Sequence, residues 1–449
     1  MTERRSGSQC PAPAMVIVPA GGQGRRLNAV STTRQKVTLP FFGRSVLESA
    51  LQPCLDLWGD RCKICIVTEH FHEQVEAVIK CQRRNVTSVR ASAVAATVAK
   101  VVGELLIIPG DTIMDGDGLR RFLQAARRFP AAVLVRDFGD FKGRQRRYPL
   151  PKRKFVFVEC TSGPASMAKS LVMYPDESYD QSTTVLAGGV LCLGPAVRPR
   201  VFHADPHSLL QELVAGGAPV TCIPQHGFFC DLDDYGDWRE LQLRSYALFA
   251  QRVKGRQIHP CARVMKDVVV TGALEVEEGA VIESNVRLIG PVHIGAGTVI
   301  QSGAFIQHSW IGRRCRIGPN TCVRYASIGN GSAVDQGRDL CVVALDGVRI
   351  LGPGSFSGFV GAGTVVCPNA VVGDHPVDNQ PVRTTCGDEI LSTGFGSLGV
   401  LVGDGAVIGP NAKLMPGRHV GAGAQVDSAV VAIRNVPPHT RVRRFPPAT

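Results

Sequence analysis

The chain has 449 residues, 44% of them hydrophobic and 20% charged, enough for two or three domains with separate cores and ordinary for a globular protein. Its net charge of +12 calls for an acidic partner, but Lys and Arg are spread along the chain rather than gathered in one tail, which argues against a nucleic-acid arm. The longest apolar stretch, residues 94–109, is broken by Lys100 and Glu104 and cannot span a bilayer.

Residues 1–14 lack the apolar run of a signal peptide and are read as a disordered leader. Residues 15–20 form the first expected strand, which ends in Ala20-Gly21-Gly22-Gln23-Gly24-Arg25-Arg26-Leu27. Glycines directly after a strand let backbone N–H groups approach phosphate oxygens. From this segment alone a plain tight turn reads equally well. Arg34-Gln35-Lys36-Val37-Thr38-Leu39-Pro40-Phe41 follows shortly after. Ser45 and Glu48 stand at capping-box spacing, opening a helix through Val46, Leu47, Ala50, Leu51, Cys54 and Leu55 that stops near Gly59.

Next come a strand at 64–68, a helix through Val75, Val78 and Ile79, and a strand at 105–108 that runs into Gly110-Asp111. A helix through Leu119, Phe122 and Ala126 completes the series. This alternation, continuing to about residue 252, predicts a Rossmann-like α/β domain on a parallel sheet, with ligands at the carboxyl ends of its strands. Cys62 and Cys65 form a C-x-x-C inside an apolar strand, and no second pair follows at zinc spacing. The fifteen cysteines are therefore read as reduced, mostly buried thiols of a cytoplasmic protein. The basic run at 142–154 is read as a solvated loop, with a polyanion site as the alternative.

Beyond about residue 267 aliphatic residues recur every six positions: Val270, Val276, Ile282, Leu288, Ile294, Ile300 and Ile306. The series resumes through Ile311, Ile317, Val323, Ile328 and Val334, then Val360, Val366 and Val372, then Val402, Ile408, Leu414, Val420 and Val426. A period of six fits neither an α-helix nor a hairpin. It fits a parallel β-helix with three hexads per coil and the aliphatic side chain pointing inward. The 49 glycines beside few aromatic residues suit its repeated turns. Residues 335–359 and 373–399 break the pattern and are read as loops thrown out from the coil. The expected organisation is a leader at 1–14, a catalytic domain at 15–252, a linker at 253–266 and an all-β left-handed parallel β-helix at 267–449.

Residues 20–27 and 32–41 resemble the sugar-1-phosphate nucleotidyltransferases, whose signature is Gly-Gly-x-Gly-x-Arg-Leu followed by a Pro-Lys-x-x-x-Pro-like segment. Thr32, Arg34, Lys36, Pro40 and Phe41 match the form found in ADP-glucose pyrophosphorylase, with Gln35 where many relatives have Pro. The resemblance implies that Arg26 and Lys36 neutralise a nucleoside triphosphate while a sugar phosphate attacks its α-phosphorus. Ala20, Gly21, Gly22, Gly24 and Arg26 would then contact the nucleotide. It further implies Mg²⁺ held by Asp111 and by Asp231, with Asp233 as the alternative to the latter. Helix-terminal charge is the competing reading of those two. Gly188 and Gly189 resemble the family's sugar-lining strand without its usual Asn, and Lys169 stands in for an absent Glu-Lys-Pro lysine. Residues 92–97 are the only echo of the family's Gly-Thr-Ala segment, so the resemblance implies an unusual substrate.

In the coil, Val360-Gly361-Ala362-Gly363-Thr364 and residues 392–417 resemble the fused uridylyltransferase/acetyltransferases, which use a His base just upstream of Gly-Ala-Gly-Thr. Residues 350–359 hold no His, and His308 and His375 lie elsewhere in the chain. The expected function is formation of an NDP-sugar or NDP-cyclitol and pyrophosphate from an NTP and a sugar-1-phosphate. The coil would assemble a homotrimer or homotetramer, and neither nucleic acid nor membrane is an expected partner. Two alternatives stay open: a bifunctional enzyme that also acetylates, which a His folded against 361–364 would favour, and a non-catalytic regulatory homologue.

Overall fold

The computed structural model describes residues 10–22, 24, 27–80, 85–141, 154–162, 166–173, 175–176, 178–179, 182–197, 205–336, 341–386 and 389–444. Strands Met15–Pro19, Ile64–Thr68, Val86–Arg90 and Leu105–Ile107 lie parallel, with Met15–Pro19 between Leu105–Ile107 and Ile64–Thr68. All five residues of Ile64–Thr68 are buried, as a strand covered by helices on both faces must be. The sheet is mixed, not parallel throughout. Thr184–Leu193 runs antiparallel to Leu105–Ile107 and to Ala131–Asp137, and Val220–Pro224 then pairs parallel with the latter. The capping box forms as expected: Ser45 accepts from the Glu48 amide and Glu48 from the Ser45 amide, opening helix Val46–Trp58.

The expected leader needs correction. Cys10 is buried, its carbonyl accepts from Trp58 Nε1 at 3.0 Å, and Arg127 binds the Pro11 carbonyl at 2.7 Å. Residues 10–14 therefore pack against the α/β layer, and the rest of the leader lies outside the described residues. The basic run is also corrected at its end. Lys154 is buried and paired with Asp234 and Asp237, each at 2.6 Å. Residues 142–153 lie outside the described residues.

From residue 256 the chain winds into a three-faced parallel solenoid. Adjacent coils pair Val276 with Ile294, Ile282 with Ile300 and Leu288 with Ile306. The hexad aliphatics fill one continuous core from Leu274 to Val436. Buried Thr298, Ser332 and Thr364 sit at the corners, each donating its hydroxyl to a carbonyl of the next coil, so burial leaves these polar groups satisfied. The expected linker is the first coil. Arg256–Ile258 pairs with Leu274–Val276 and Arg263–Val264 with Val281–Ile282. The hexad series thus reaches back to Ile258 and Val264, partly exposed because no coil lies beneath them. Residues 341–359 are coil as well, with Cys341–Ala344 between Ser327–Ile328 and Ser357–Val360, and residues 337–340 lie outside the described residues. Ala344, Ile350 and Phe356 keep the spacing of six and are buried, but a longer step separates Val334 from Ala344. Residues 373–399 do leave the coil and carry the hairpin Arg383–Cys386/Glu389–Ser392.

Helix Tyr235–Arg252 packs between the two halves. Trp238 meets Phe41 at 4.3 Å and Phe359 at 4.6 Å between ring centroids, and Tyr235 Oη donates to the Val400 carbonyl at 2.6 Å. Phe41, Phe42, Trp238 and Phe249 share one cluster with Phe359 and Leu401, so both halves contribute to a common core.

Candidate active site

The site begins where the first strand stops. Ala20 is buried, and Gly21 passes so close to the next strand end that a Cβ there would meet Glu69 at 3.0 Å, a tight fit that favours glycine. Gln23, Arg25 and Arg26 lie outside the described residues, so the expected role of Arg26 has no structural account. Lys36 opens a short 3₁₀ turn, Lys36–Thr38, capped by Gln35. Gln35 explains its own departure from the family pattern. Buried, it accepts from the Lys36 amide and donates Nε2 to the Ala20 carbonyl at 2.9 Å. A proline there could not join the lysine turn to the glycine loop in this way.

Lys36 Nζ forms a close ion pair with Asp111, lies 3.6 Å from Asp233 and donates to the Leu232 carbonyl at 2.9 Å. Burial alone would lower its pKa. The carboxylates of Asp111, Asp233 and Asp231 outweigh that and push it up. Asp111 follows strand Leu105–Ile107, and its carbonyl accepts from the Leu232 amide at 3.1 Å. Asp231 ends the short strand Phe229–Asp231, directly opposite Thr112 in an antiparallel pair, with Thr112 Oγ1 at 3.3 Å from its carboxylate. Desolvation, then Asp233 and Asp111, push Asp231 well above the ordinary carboxylate range.

These groups line one cleft of about 490 Å³ together with Gly21, Gly22, Gly24 and Gly188. The structure therefore gathers Lys36, Asp111, Asp231 and the alternative Asp233 from three distant stretches of chain. Gly188 sits in a bulge of Thr184–Leu193 at φ +58, and a Cβ there would strike Thr112. Gly189 packs against Pro206 instead. Lys169 is a correction: it is exposed on Ala168–Met173 and does not line the cleft. It is the extra residue of a bulge, between Ala168 opposite Cys160 and Ser170 opposite Glu159.

Several cleft residues escaped the sequence reading. Glu69 and His70 follow strand Ile64–Thr68. Asp205 and His207 begin helix Pro206–Ala215, with Asp205 3.4 Å from His207 Nδ1. Beneath the floor, Asp237 Oδ2 accepts from the amides of Asp233 and Asp234, at 3.1 and 3.0 Å, while Lys154 holds the same carboxylate group by Oδ1. Only the capping-box spacing of Asp234 and Asp237 could have signalled this support, and the partner lysine has no local signal.

Three carboxylates face one ammonium, an excess of negative charge that suits a cation. Among the described residues no group of three or more His, Cys, Asp or Glu is arranged to hold a metal unaided. Two carboxylates with the remaining positions left to phosphates and water is the way Mg²⁺ is ordinarily bound, so the donor set fits that ion.

No protein-family model matches the chain. It is 23% identical over 456 residues to the bifunctional protein GlmU of Sorangium cellulosum, spanning 95% of this chain and 93% of that one. It is 27% identical over 200 residues to a glucose-1-phosphate thymidylyltransferase of Streptomyces antibioticus, covering 42% of this chain and 50% of the relative. The chain is a relative of the sugar-1-phosphate nucleotidyltransferases. An uncharacterised acetyltransferase of Escherichia coli, YaiX, is 29% identical over 159 residues, 34% of this chain and 67% of its own. A solved UDP-glucose pyrophosphorylase with UDP-glucose overlays 52% of the chain at 14% identity and a TM-score of 0.41.

Among the described residues no imidazole is bonded to residues 361–364, the part of the coil that resembles the acetyltransferases. Residues 361–364 adjoin Gly403 and Asp404. His308 is bound to Tyr246 at 2.9 Å and His375 to Asp374 at 2.7 Å. Among the described residues no helix is long and apolar enough to cross a membrane.

Proposed function

We propose that the chain forms an NDP-sugar or NDP-cyclitol and pyrophosphate from a nucleoside triphosphate and a sugar-1-phosphate. The observation that carries this reading is Lys36, held among Asp111, Asp231 and Asp233 in the cleft beneath Gly21, Gly22 and Gly24. The glycine loop receives the triphosphate, and Lys36 neutralises charge on it as an oxygen of the sugar phosphate attacks the α-phosphorus. The bond to the β-phosphate breaks and pyrophosphate leaves. Such transfer needs positioning and charge neutralisation more than covalent chemistry. A Mg²⁺ ion would be held by Asp111 and Asp231, with Asp233 beside them, and would supply further charge neutralisation. His207, across the cleft, takes the phosphate of the sugar substrate in place of Lys169.

In this reading catalysis belongs to residues 15–252 of a cytoplasmic enzyme, carried on a left-handed coil that assembles copies of the chain. Residues 361–364 are bonded to Gly403 and Asp404 and, among the described residues, to no imidazole that could accept a proton, which favours nucleotidyl transfer without acetylation. The test is a panel of nucleoside triphosphates against several sugar and cyclitol phosphates, read by pyrophosphate release. Activity with at least one pair is expected, with thiol release from acetyl-CoA staying at background. Absence of pyrophosphate release across the panel would favour the regulatory homologue instead.

A further inference from the structure

The chain is rich in cysteines, and several of those described are chemically quiet. Burial pushes Cys62 up to about 12, Cys65 up to about 11 and Cys192 up to about 12, leaving neutral thiols that resist oxidation. One pair differs. Cys160 closes strand Val156–Cys160, and Cys222 lies within Val220–Pro224. Their sulfur atoms are 3.4 Å apart although 62 residues separate them in sequence. Cys222 is buried while Cys160 remains half-buried and reachable.

The two strands share no ladder. Val156–Cys160 pairs with Ala168–Met173 and Thr184–Leu193, whereas Val220–Pro224 pairs with Ala131–Asp137. Their neighbourhood is fixed by Ser166 and Met167, which lead into Ala168–Met173. The Cys222 amide donates to the Ser166 carbonyl at 2.7 Å, and Met167 bridges to Thr221. The thiols are thus held together by backbone contacts on both sides rather than by chance rotamers. Either thiol can donate across this contact; with Cys222 as the donor, the contact drives the Cys160 pKa down against the effect of burial, with help from Ser166. The same contact pushes Cys222 up. One sulfur is the nucleophile and its neighbour is the proton-bearing resolving thiol, the arrangement of a redox-sensing pair.

We propose that Cys160 and Cys222 form a peroxide-sensitive dithiol that closes to a reversible disulfide and fastens the paired strands Val156–Cys160 and Ala168–Met173 to strand Val220–Pro224. The Cys160 thiolate attacks a hydroperoxide oxygen, the O–O bond breaks, and the departing alkoxide or hydroxide takes up a proton. Cys160 is now a sulfenic acid. The Cys222 sulfur then attacks the Cys160 sulfur, the S–O bond breaks, and water leaves with the thiol proton. The two thiols supply the two electrons that reduce the peroxide. The sulfurs need only close from 3.4 Å to about 2.0 Å.

The test treats the full-length protein with hydrogen peroxide and maps peptides without reductant. A Cys160–Cys222 cross-linked peptide, two hydrogens lighter than the separate thiol peptides and restored by dithiothreitol, is expected in most molecules. In Cys222→Ser the cross-link should vanish and dimedone should label Cys160 as sulfenic acid. Wild-type protein in which both thiols stay reduced, or in which Cys160 proceeds to sulfinic acid without a cross-link, overturns the proposal. The wild-type map decides the matter even where the variant does not fold, and neither result depends on the nucleotidyl-transfer reading.

Discussion

Arg34 Nε donates to Asp404 Oδ2 at 2.7 Å, tying a residue of the N-terminal signature to the solenoid. Thr33 Oγ1 donates to the same oxygen at 2.9 Å, and the other Asp404 oxygen accepts from the Ala362 amide at 2.7 Å. Two residues later the chain delivers Lys36 to the cleft. One end of the segment therefore anchors the α/β half to the coil while the other lines the cleft proposed as the active site.

That anchor should be measurable. Asp404→Ala leaves Arg34 without its half-buried partner and should lower unfolding free energy by about 1–3 kcal/mol. A double-mutant cycle with Arg34→Ala should return a coupling energy near 1 kcal/mol. Additive denaturation midpoints would show the contact to be worth nothing.

Asp111→Asn should cut kcat on the order of a hundredfold, the scale of losing a preorganised electrostatic group. The substitution keeps shape and removes the charge that both pairs with Lys36 and suits Mg²⁺. Steady-state pyrophosphate release at saturating Mg²⁺ is the measurement, and near-normal kcat would remove Asp111 from the site.

His419 makes stability depend on pH. It is 4% exposed, its Nε2 meets Thr384 Oγ1 of the hairpin at 2.7 Å, and burial, then Arg418, push its pKa down to about 4. An unfolded imidazole titrates near pH 6.5. Between these values the unfolded chain binds more protons than the folded one, so stability rises with pH across the window and is lost as pH falls through it. The loss from this residue should be on the order of 3 kcal/mol. Urea denaturation of wild type between pH 7 and pH 4 should fall more steeply than that of His419→Asn. Parallel profiles would contradict the assignment.

The contrast between what the sequence reveals and what it hides follows from distance along the chain. Lys36 and Asp111 were legible because each sits in a short segment whose neighbours fix its local geometry, and the hexads because each coil repeats the last. Lys154 and His207 were not, since their partners are Asp234 and Asp237 in one case and the far wall of the cleft in the other, joined by tertiary folding alone. Lys169 misled because it falls at a bulge in its strand, invisible without register, and is exposed to solvent. The coil at 341–360 hid behind one long step that disrupts a six-residue count without disturbing the ladder.

Assembly should run through the last coils. Val431 and Ile433 are 52% and 64% exposed, and Val371 lies on the same three-stranded face. The outward ladder reads Val371, Lys413, Val431, and exposed aliphatic residues on a solenoid gain from a partner. Light scattering should give a trimer or tetramer for the full chain and a lighter species for Val431→Lys combined with Ile433→Lys. Truncating the coil is the poorer test, because Trp238 and Phe249 share their core with Phe359 and Leu401. A full-length monomer at micromolar concentration would rule the assembly out.

His207 should govern the sugar phosphate and leave the triphosphate alone. It stands at the start of helix Pro206–Ala215, in the cleft wall next to the Gly188 bulge, with Asp205 orienting the imidazole from 3.4 Å. Lys169 is turned to solvent, so among the described residues the imidazole is the donor this wall offers to a phosphate dianion. Loss of one hydrogen bond to a charged group costs about 1.5–3 kcal/mol. His207→Ala should therefore raise KM for the sugar phosphate by roughly tenfold to a hundredfold. KM for the triphosphate should hold, because Lys36 and the glycine loop are untouched. His207→Lys restores a donor and should recover much of the loss, which a merely structural role would not allow. Equal increases in both KM values, or no rescue by lysine, would place His207 among the supports of the fold rather than at the substrate.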